Sequence, residues 1–82
     1  MTFYVYILFS PSINRYYIGT TGEELKERIR RRNTNHNGFT GKKGDWELRY
    51  SESYASKTDS YQREKEMKSW KSRKMIEKLI YG

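Results

Sequence analysis

A small α+β fold is what this sequence predicts: a three-stranded, mainly antiparallel sheet flanked by helices, in the order β-β-α-β-α-α. Three observations carry that reading. An unbroken apolar and aromatic run, Phe3 to Phe9, is followed by turn chemistry and a second aromatic segment. Residues 46–54 alternate between large apolar and polar side chains. Two Ser/Thr-x-x-acid sequences then sit where helical spacing begins, as capping boxes do.

The first run, lacking alternation, suits a strand buried on both faces. Ser10 to Arg15 holds a Pro and an Asn, which favour a tight turn. Tyr16 to Gly19 returns as the second arm of a hairpin. Alternate strand residues share a face, so Tyr6 joins Tyr4 and Leu8, and Tyr17 joins Gly19. In the right register Tyr6 and Tyr17 face one another over the gap left by Gly19. Two readings stand: a polar floor for a substrate, or ordinary strand tyrosines, since Tyr favours β-structure and the chain has 8.

Thr21-Gly22-Glu23-Glu24 has capping-box spacing, and a helix from about Glu23 to Arg32 follows. Its apolar positions are Leu25 and Ile29, one turn apart. At about 100° per residue, Arg32 falls about 20° from Leu25 and Arg28 about 60°. Two cations thus share or border the inward stripe. Arginine cannot shed its charge, so it either snorkels over the core edge or meets an anion in a cleft.

Asn33 to Asp45 reads as a basic loop rich in Asn, Gly, Thr and Lys. In the third strand, Trp46, Leu48, Tyr50 and Tyr54 are expected on one face, with Glu47, Arg49, Ser51 and Ser53 on the other. Ser56-Lys57-Thr58-Asp59 opens a helix to about Trp70, and Met75, Ile76, Leu79 and Ile80 mark a further one. In the second helix Glu64 lies between Tyr61 and Met67, at the edge of an apolar stripe. It pairs with a nearby Arg or serves as a metal ligand; Mg²⁺ takes oxygen donors and often only one or two carboxylates.

At 82 residues a single domain, 1–82, with a modest core is expected. No Cys and one His exclude disulfide, thiolate and His-rich metal frameworks. Neither a signal peptide nor a membrane span is legible, which makes a cytoplasmic location the expectation. Lys and Arg number 17 against 10 Asp and Glu, a net charge of +7. So large a surplus on so small a body favours a polyanion such as DNA. A membrane surface fits less well, because no helix joins a strongly basic face to one rich in Leu, Phe or Trp.

Taken together the motifs resemble the GIY-YIG nuclease superfamily, also called the URI domain, and in particular its small stand-alone bacterial members. The same domain occurs in excision-repair nucleases and intron homing endonucleases. Tyr4-Val5-Tyr6-Ile7-Leu8 stands at the GIY element and Tyr16-Tyr17-Ile18-Gly19 at the YIG element. Leu25-Lys26-Glu27-Arg28-Ile29 with Asn33 resembles the first-helix motif, and Trp46-Glu47-Leu48-Arg49-Tyr50 the third strand. Arg63-Glu64-Lys65 and the run from Lys68 to Lys74 resemble the C-terminal helices.

The resemblance implies hydrolysis of a DNA phosphodiester with one divalent metal, Mg²⁺ or Mn²⁺, and no small-molecule cofactor. DNA repair or recombination is the setting its larger relatives suggest. In-line attack builds negative charge on the phosphate, and a fixed cation and a metal meet it there. By resemblance Arg28 is the cation, Glu64 the metal ligand, and Tyr6 and Tyr17 orient and deprotonate the attacking water. Nucleic-acid contacts are expected from Arg32, Asn33, His36, Lys42, Lys43, Lys68, Lys71 and Arg73. Thr20 stands where repair nucleases of the family carry Lys, and Arg32 where many members carry His. The alternatives are a non-catalytic nucleic-acid-binding module on the same fold, and an interaction module working through an aromatic sheet face.

Overall fold

The computed structural model describes residues 1–34 and 44–82. The elements are β1 (Phe3–Ser10), β2 (Arg15–Thr21), α1 (Leu25–Thr34), β3 (Glu47–Tyr54), α2 (Lys57–Ser69) and α3 (Arg73–Tyr81). They follow the expected order, and the three strands form one antiparallel sheet ordered β2-β1-β3. Among the described residues no helix is long and apolar enough to cross a membrane.

β1 is central and covered on both faces: Val5, Tyr6, Ile7 and Leu8 are all fully buried. Its lack of alternation is thus explained by two covers, not one. Val5 and Ile7 join Ile18 and Met67 in the core, against which Tyr16, Tyr50, Tyr54, Trp70, Ile76, Leu79 and Ile80 pack. The opposite face carries Tyr6 and Leu8, with α1 over it.

The hairpin turn closes through Asn14, whose φ of 56° is left-handed and whose N–H donates to the Ser10 carbonyl at 2.7 Å. Asn tolerates that conformation better than most residues. Arg73 then ties α3 to the same turn, donating to the Asn14 carbonyl at 3.1 Å and to its Oδ1 at 2.7 Å. Ser56 caps α2 as expected, accepting from the Asp59 N–H at 3.3 Å. At α1 the cap differs. The Thr21 hydroxyl accepts from the Glu23 N–H at 3.1 Å, which makes a turn of residues 21–23 and delays the helix to Leu25.

β3 departs from simple alternation. Ile7 pairs with Tyr50 but Leu8 pairs with Leu48, so Arg49 is an extra residue in a bulge. Neighbouring β1 residues face opposite ways. Tyr50 and Tyr54 therefore join the core while Trp46 and Leu48 cross to the Tyr6 face, which corrects the expectation of one common face. The bulge is what brings Trp46 to the tyrosines.

Alternation from Tyr50 to Tyr54 puts Glu52 on the same core side, opposite Val5, where its carboxylate gathers four donors. Arg63 donates at 3.0 and 3.1 Å, Tyr50 at 2.5 Å and Tyr54 at 2.6 Å. Burial opposes the charge on Glu52, but the bonds from Arg63 and the two phenols outweigh it and hold its carboxyl below the usual range. The same bond pushes the Tyr54 phenol up to about 12. Glu52→Gln should lower stability by roughly 1–3 kcal/mol, read as a urea midpoint at neutral pH. Because the folded carboxyl titrates below the unfolded one, its contribution is complete above the unfolded pKa near about 4.3. It is lost as pH falls through the folded value, so the gap between parent and variant closes in acid. A gap that stays constant from neutral to acid pH would remove the charge from this account.

Candidate active site

The site begins with an absence of side chain. Gly19 lies opposite Tyr6 in the hairpin register, and Tyr17 lies opposite Leu8, so the three share one face. A Cβ at Gly19 would stand 2.7 Å from the Tyr6 hydroxyl and 2.9 Å from Tyr17 Cε2. Glycine alone leaves room for the two phenols to lean over it. Their ring centres are 6.3 Å apart and the planes tilted by 42°.

α1 brings two arginines to this face, one to each tyrosine. Arg28 Nε donates to the Tyr6 hydroxyl at 3.3 Å, and Arg28 Nη1 lies 3.9 Å from the Glu23 carboxylate. The bond to Tyr6 is the main cause that raises the pKa of Arg28, and it stays cationic throughout any working pH. One turn later the Arg32 guanidinium lies 3.7 Å over the Tyr17 ring and 4.8 Å from the Trp46 ring. Thus the two inward-facing arginines neither cover the core edge alone nor point to open solvent: both meet the tyrosine pair.

Two grooves open along the edge strand β2, between it and α2. One, of about 390 Å³, has Arg28 and Lys57 in its wall, with the Thr20 and Thr21 segment and with Ser60 and Tyr61. The other, of about 280 Å³, is lined by Tyr17, Ile18, Met67, Lys68 and Lys71 among others. Glu64 lies one helical turn from Ser60 on one side and one turn from Lys68 on the other, on the same face of α2. Its carboxylate pairs with Lys68 Nζ at 3.2 Å, not with Arg28 or Arg32. Among the described residues no three or more His, Asp or Glu side chains converge on a point that could hold a metal ion.

Of the residues expected to act, Tyr6, Tyr17 and Arg28 are in direct contact. Glu64 lies on α2 between the residues that line the two grooves and is in the wall of neither. Lys68 and Lys71 flank Tyr17 in the second groove. Arg32 stacks on Tyr17. Asn33 uses its side chain internally, accepting from the Trp46 N–H at 2.8 Å and donating to the Trp46 carbonyl at 3.0 Å. Arg73 is engaged with Asn14 and Glu77. His36, Lys42 and Lys43 lie outside the described residues. Two neighbours escaped the sequence reading. Simple alternation puts Trp46 on one face with Leu48, Tyr50 and Tyr54, and the bulge moves it to the other; Lys57, a first-turn residue of α2, carries no local signal of a groove.

A family model for the GIY-YIG catalytic domain matches residues 2–78. The chain is also similar to a UPF0213 protein of Bacillus halodurans, solved by solution NMR, at 28% identity and a TM-score of 0.60. That likeness covers 98% of this chain and 83% of the other. No curated protein sequence matches the chain. The domains of this family have a nuclease-type fold, are generally endonucleases and typically use a divalent metal. Its model runs from before the first tyrosine strand into the third helix and takes in every element that builds the site, and the chain belongs to the GIY-YIG catalytic-domain family.

Proposed function

We propose that this protein is a metal-dependent endonuclease that hydrolyses phosphodiester bonds in DNA, with branched, nicked or damaged duplexes of repair and recombination as the substrate class. A cytoplasmic setting is part of the same reading. The observation that carries it is the bond from Arg28 to Tyr6 beside Tyr17, over a gap only glycine leaves open.

Each group has a task in that chemistry. Water attacks phosphorus in line with the leaving oxygen; a new P–O bond forms, the old one breaks, the water proton passes to one of the two tyrosines acting as a phenolate base, and the leaving oxygen takes a proton from solvent. Arg28 fixes the Tyr6 oxygen and sets a permanent cation where charge develops on the phosphate. Tyr17, at the mouth of the second groove, flanks the path of the strand, with Lys68 and Lys71 beside it. A divalent ion such as Mg²⁺ or Mn²⁺, when bound, supplies Lewis-acid stabilisation of the phosphate oxygens. Glu64 would hold such an ion, with waters and the substrate phosphate as the other oxygen donors, as magnesium sites commonly have. Lys68 would then release the carboxylate.

A panel of branched, nicked and linear DNAs with Mg²⁺ or Mn²⁺ tests the reading, with Glu64→Ala as control. Cleavage by the parent and none by the variant is expected. Equal background from both would favour the second reading, a nucleic-acid-binding module without turnover. The ammonium already seated on Glu64 is the observation that speaks for it.

Binding itself should be weak, largely independent of sequence and steeply dependent on salt, because the net charge is +7. Each phosphate neutralised adds roughly 0.9 to the slope of log K against log salt. Fluorescence anisotropy across a salt series reads that slope, and Lys71→Ala should flatten it by about one such step. A flat titration, or tight binding to one sequence, would count against DNA as the partner.

A further inference from the structure

The chemistry above gives Arg32 no task, yet its surroundings are the most specific in the site. Its guanidinium carbon lies over Tyr17 at 3.7 Å and near Trp46 at 4.8 Å, and those two rings meet edge to face at 6.2 Å. Its Nε is buried and finds no hydrogen-bond partner among the described residues. A buried, unpaired donor is unfavourable unless another interaction offsets it. Two aromatic rings do so here, because the electron-rich face of an aromatic ring attracts a cation.

Trp46 is itself held. Asn33 grips both the N–H and the carbonyl of Trp46, so consecutive residues of α1 fix the tryptophan and fill the space beside it. We propose that Arg32 is a positioning residue for Tyr17: lying over the phenol in the corner that its ring makes with Trp46, it sets the plane of the phenol and hence the place of its hydroxyl. Arg28 is left to meet the substrate charge. The consequence for rate rests on the nuclease reading, whereas the stack rests on geometry.

Two measurements separate those layers. In nitrogen–proton correlation spectra of the full chain, the Arg32 Nε–H should be slow to exchange and shifted upfield, since it is shielded from water beside a ring face. Trp46→Leu should move that signal toward the position of exposed arginines. An ordinary Nε–H position in the parent would overturn the stack, whatever happens to DNA.

In steady-state assays, Arg32→Met keeps the stem and removes the planar cation. It should lower kcat by up to roughly 100-fold, the scale of a misplaced group, with KM held within about twofold. The salt slope of DNA affinity should not change. Arg32→Lys should fall with Arg32→Met, because a compact ammonium does not lie flat against the Tyr17 ring as a planar guanidinium does. Arg32→Lys at the parent rate, or a slope lowered by roughly 0.9 in Arg32→Met, would mark a phosphate contact instead and overturn the positioning role. A parent that cuts no DNA while showing the shifted Nε–H would overturn the nuclease reading, and with it the catalytic use of Arg32, but leave the stack standing.

Discussion

Glu64→Gln should collapse DNA cleavage by roughly 10²–10³-fold or more, the scale seen when fixed charge stabilisation of a transition state is removed. Glutamine keeps the size and a carbonyl oxygen but not the anionic oxygen that a hard cation requires. DNA affinity should hold or rise slightly, since a negative charge leaves a phosphate site. Stability is the control. The partner of Glu64 is Lys68, a pair in which the lysine side chain is 53% exposed. Losing such a pair should move stability by less than about 1 kcal/mol. An unchanged melting temperature with lost cleavage therefore assigns the residue to chemistry. Arg28→Ala should lose cleavage too, but with weaker DNA binding and with the Tyr6 hydroxyl released from the Arg28 guanidinium. A Glu64→Gln protein that folds normally and cuts at the parent rate would leave the proposed mechanism without its metal ligand.

How far the sequence spoke for itself differs from element to element. The hairpin was legible because strand alternation is a fixed property of the backbone: Tyr17 and Gly19 had to share a face, and register then placed Gly19 beside Tyr6. The two arginines of α1 were legible as oddities by helical angle, though not which tyrosine each would meet. The bulge at Arg49 was not legible, because one extra residue in a strand leaves no side-chain signature of its own. With it went the faces of Trp46 and Leu48. Glu52 shares the face of Tyr50 and Tyr54 by alternation, but its pairing with Arg63 depends on how α2 meets the sheet. The sequence suggests Arg73 and Asn33 as nucleic-acid contacts, and their internal bonds escape it for a related reason. Their partners, Asn14 and Trp46, are set by how the elements meet, and spacing along the chain does not encode that. Glu64 could be placed at the edge of an apolar stripe, but its pairing with Lys68 competes with every role assigned to it from the motif.

Gly19→Ala should be damaging to both stability and turnover, from a single methyl group. The backbone offers no obstacle, since among the described glycines only Gly82 has a positive φ. In a strand, alanine would even gain about 0.5–1 kcal/mol over glycine through the unfolded chain. Space decides against it. The new carbon would stand 2.7 Å from the Tyr6 hydroxyl, 2.8 Å from Tyr6 Cζ and 2.9 Å from Tyr17 Cε2, all closer than non-bonded atoms tolerate. Neither ring has an easy retreat. Tyr6 is fully buried and held by Arg28, and Tyr17 is covered by Arg32. Overpacking of this kind typically costs about 1–3 kcal/mol, so a net loss of up to about 2.5 kcal/mol is expected once the alanine gain is subtracted. The rate should suffer more, by roughly 100-fold, because a phenol moved by about an ångström no longer meets the water or the phosphate. Gly22→Ala is the matched control: its Cβ would meet the Phe3 ring at 3.2 Å, a lesser crowding that leaves the tyrosines alone. Thermal melts and cleavage rates on both variants decide the matter. Parent-like values for Gly19→Ala would mean that the two phenols do not need the gap, and their close approach over it would no longer support a shared catalytic task.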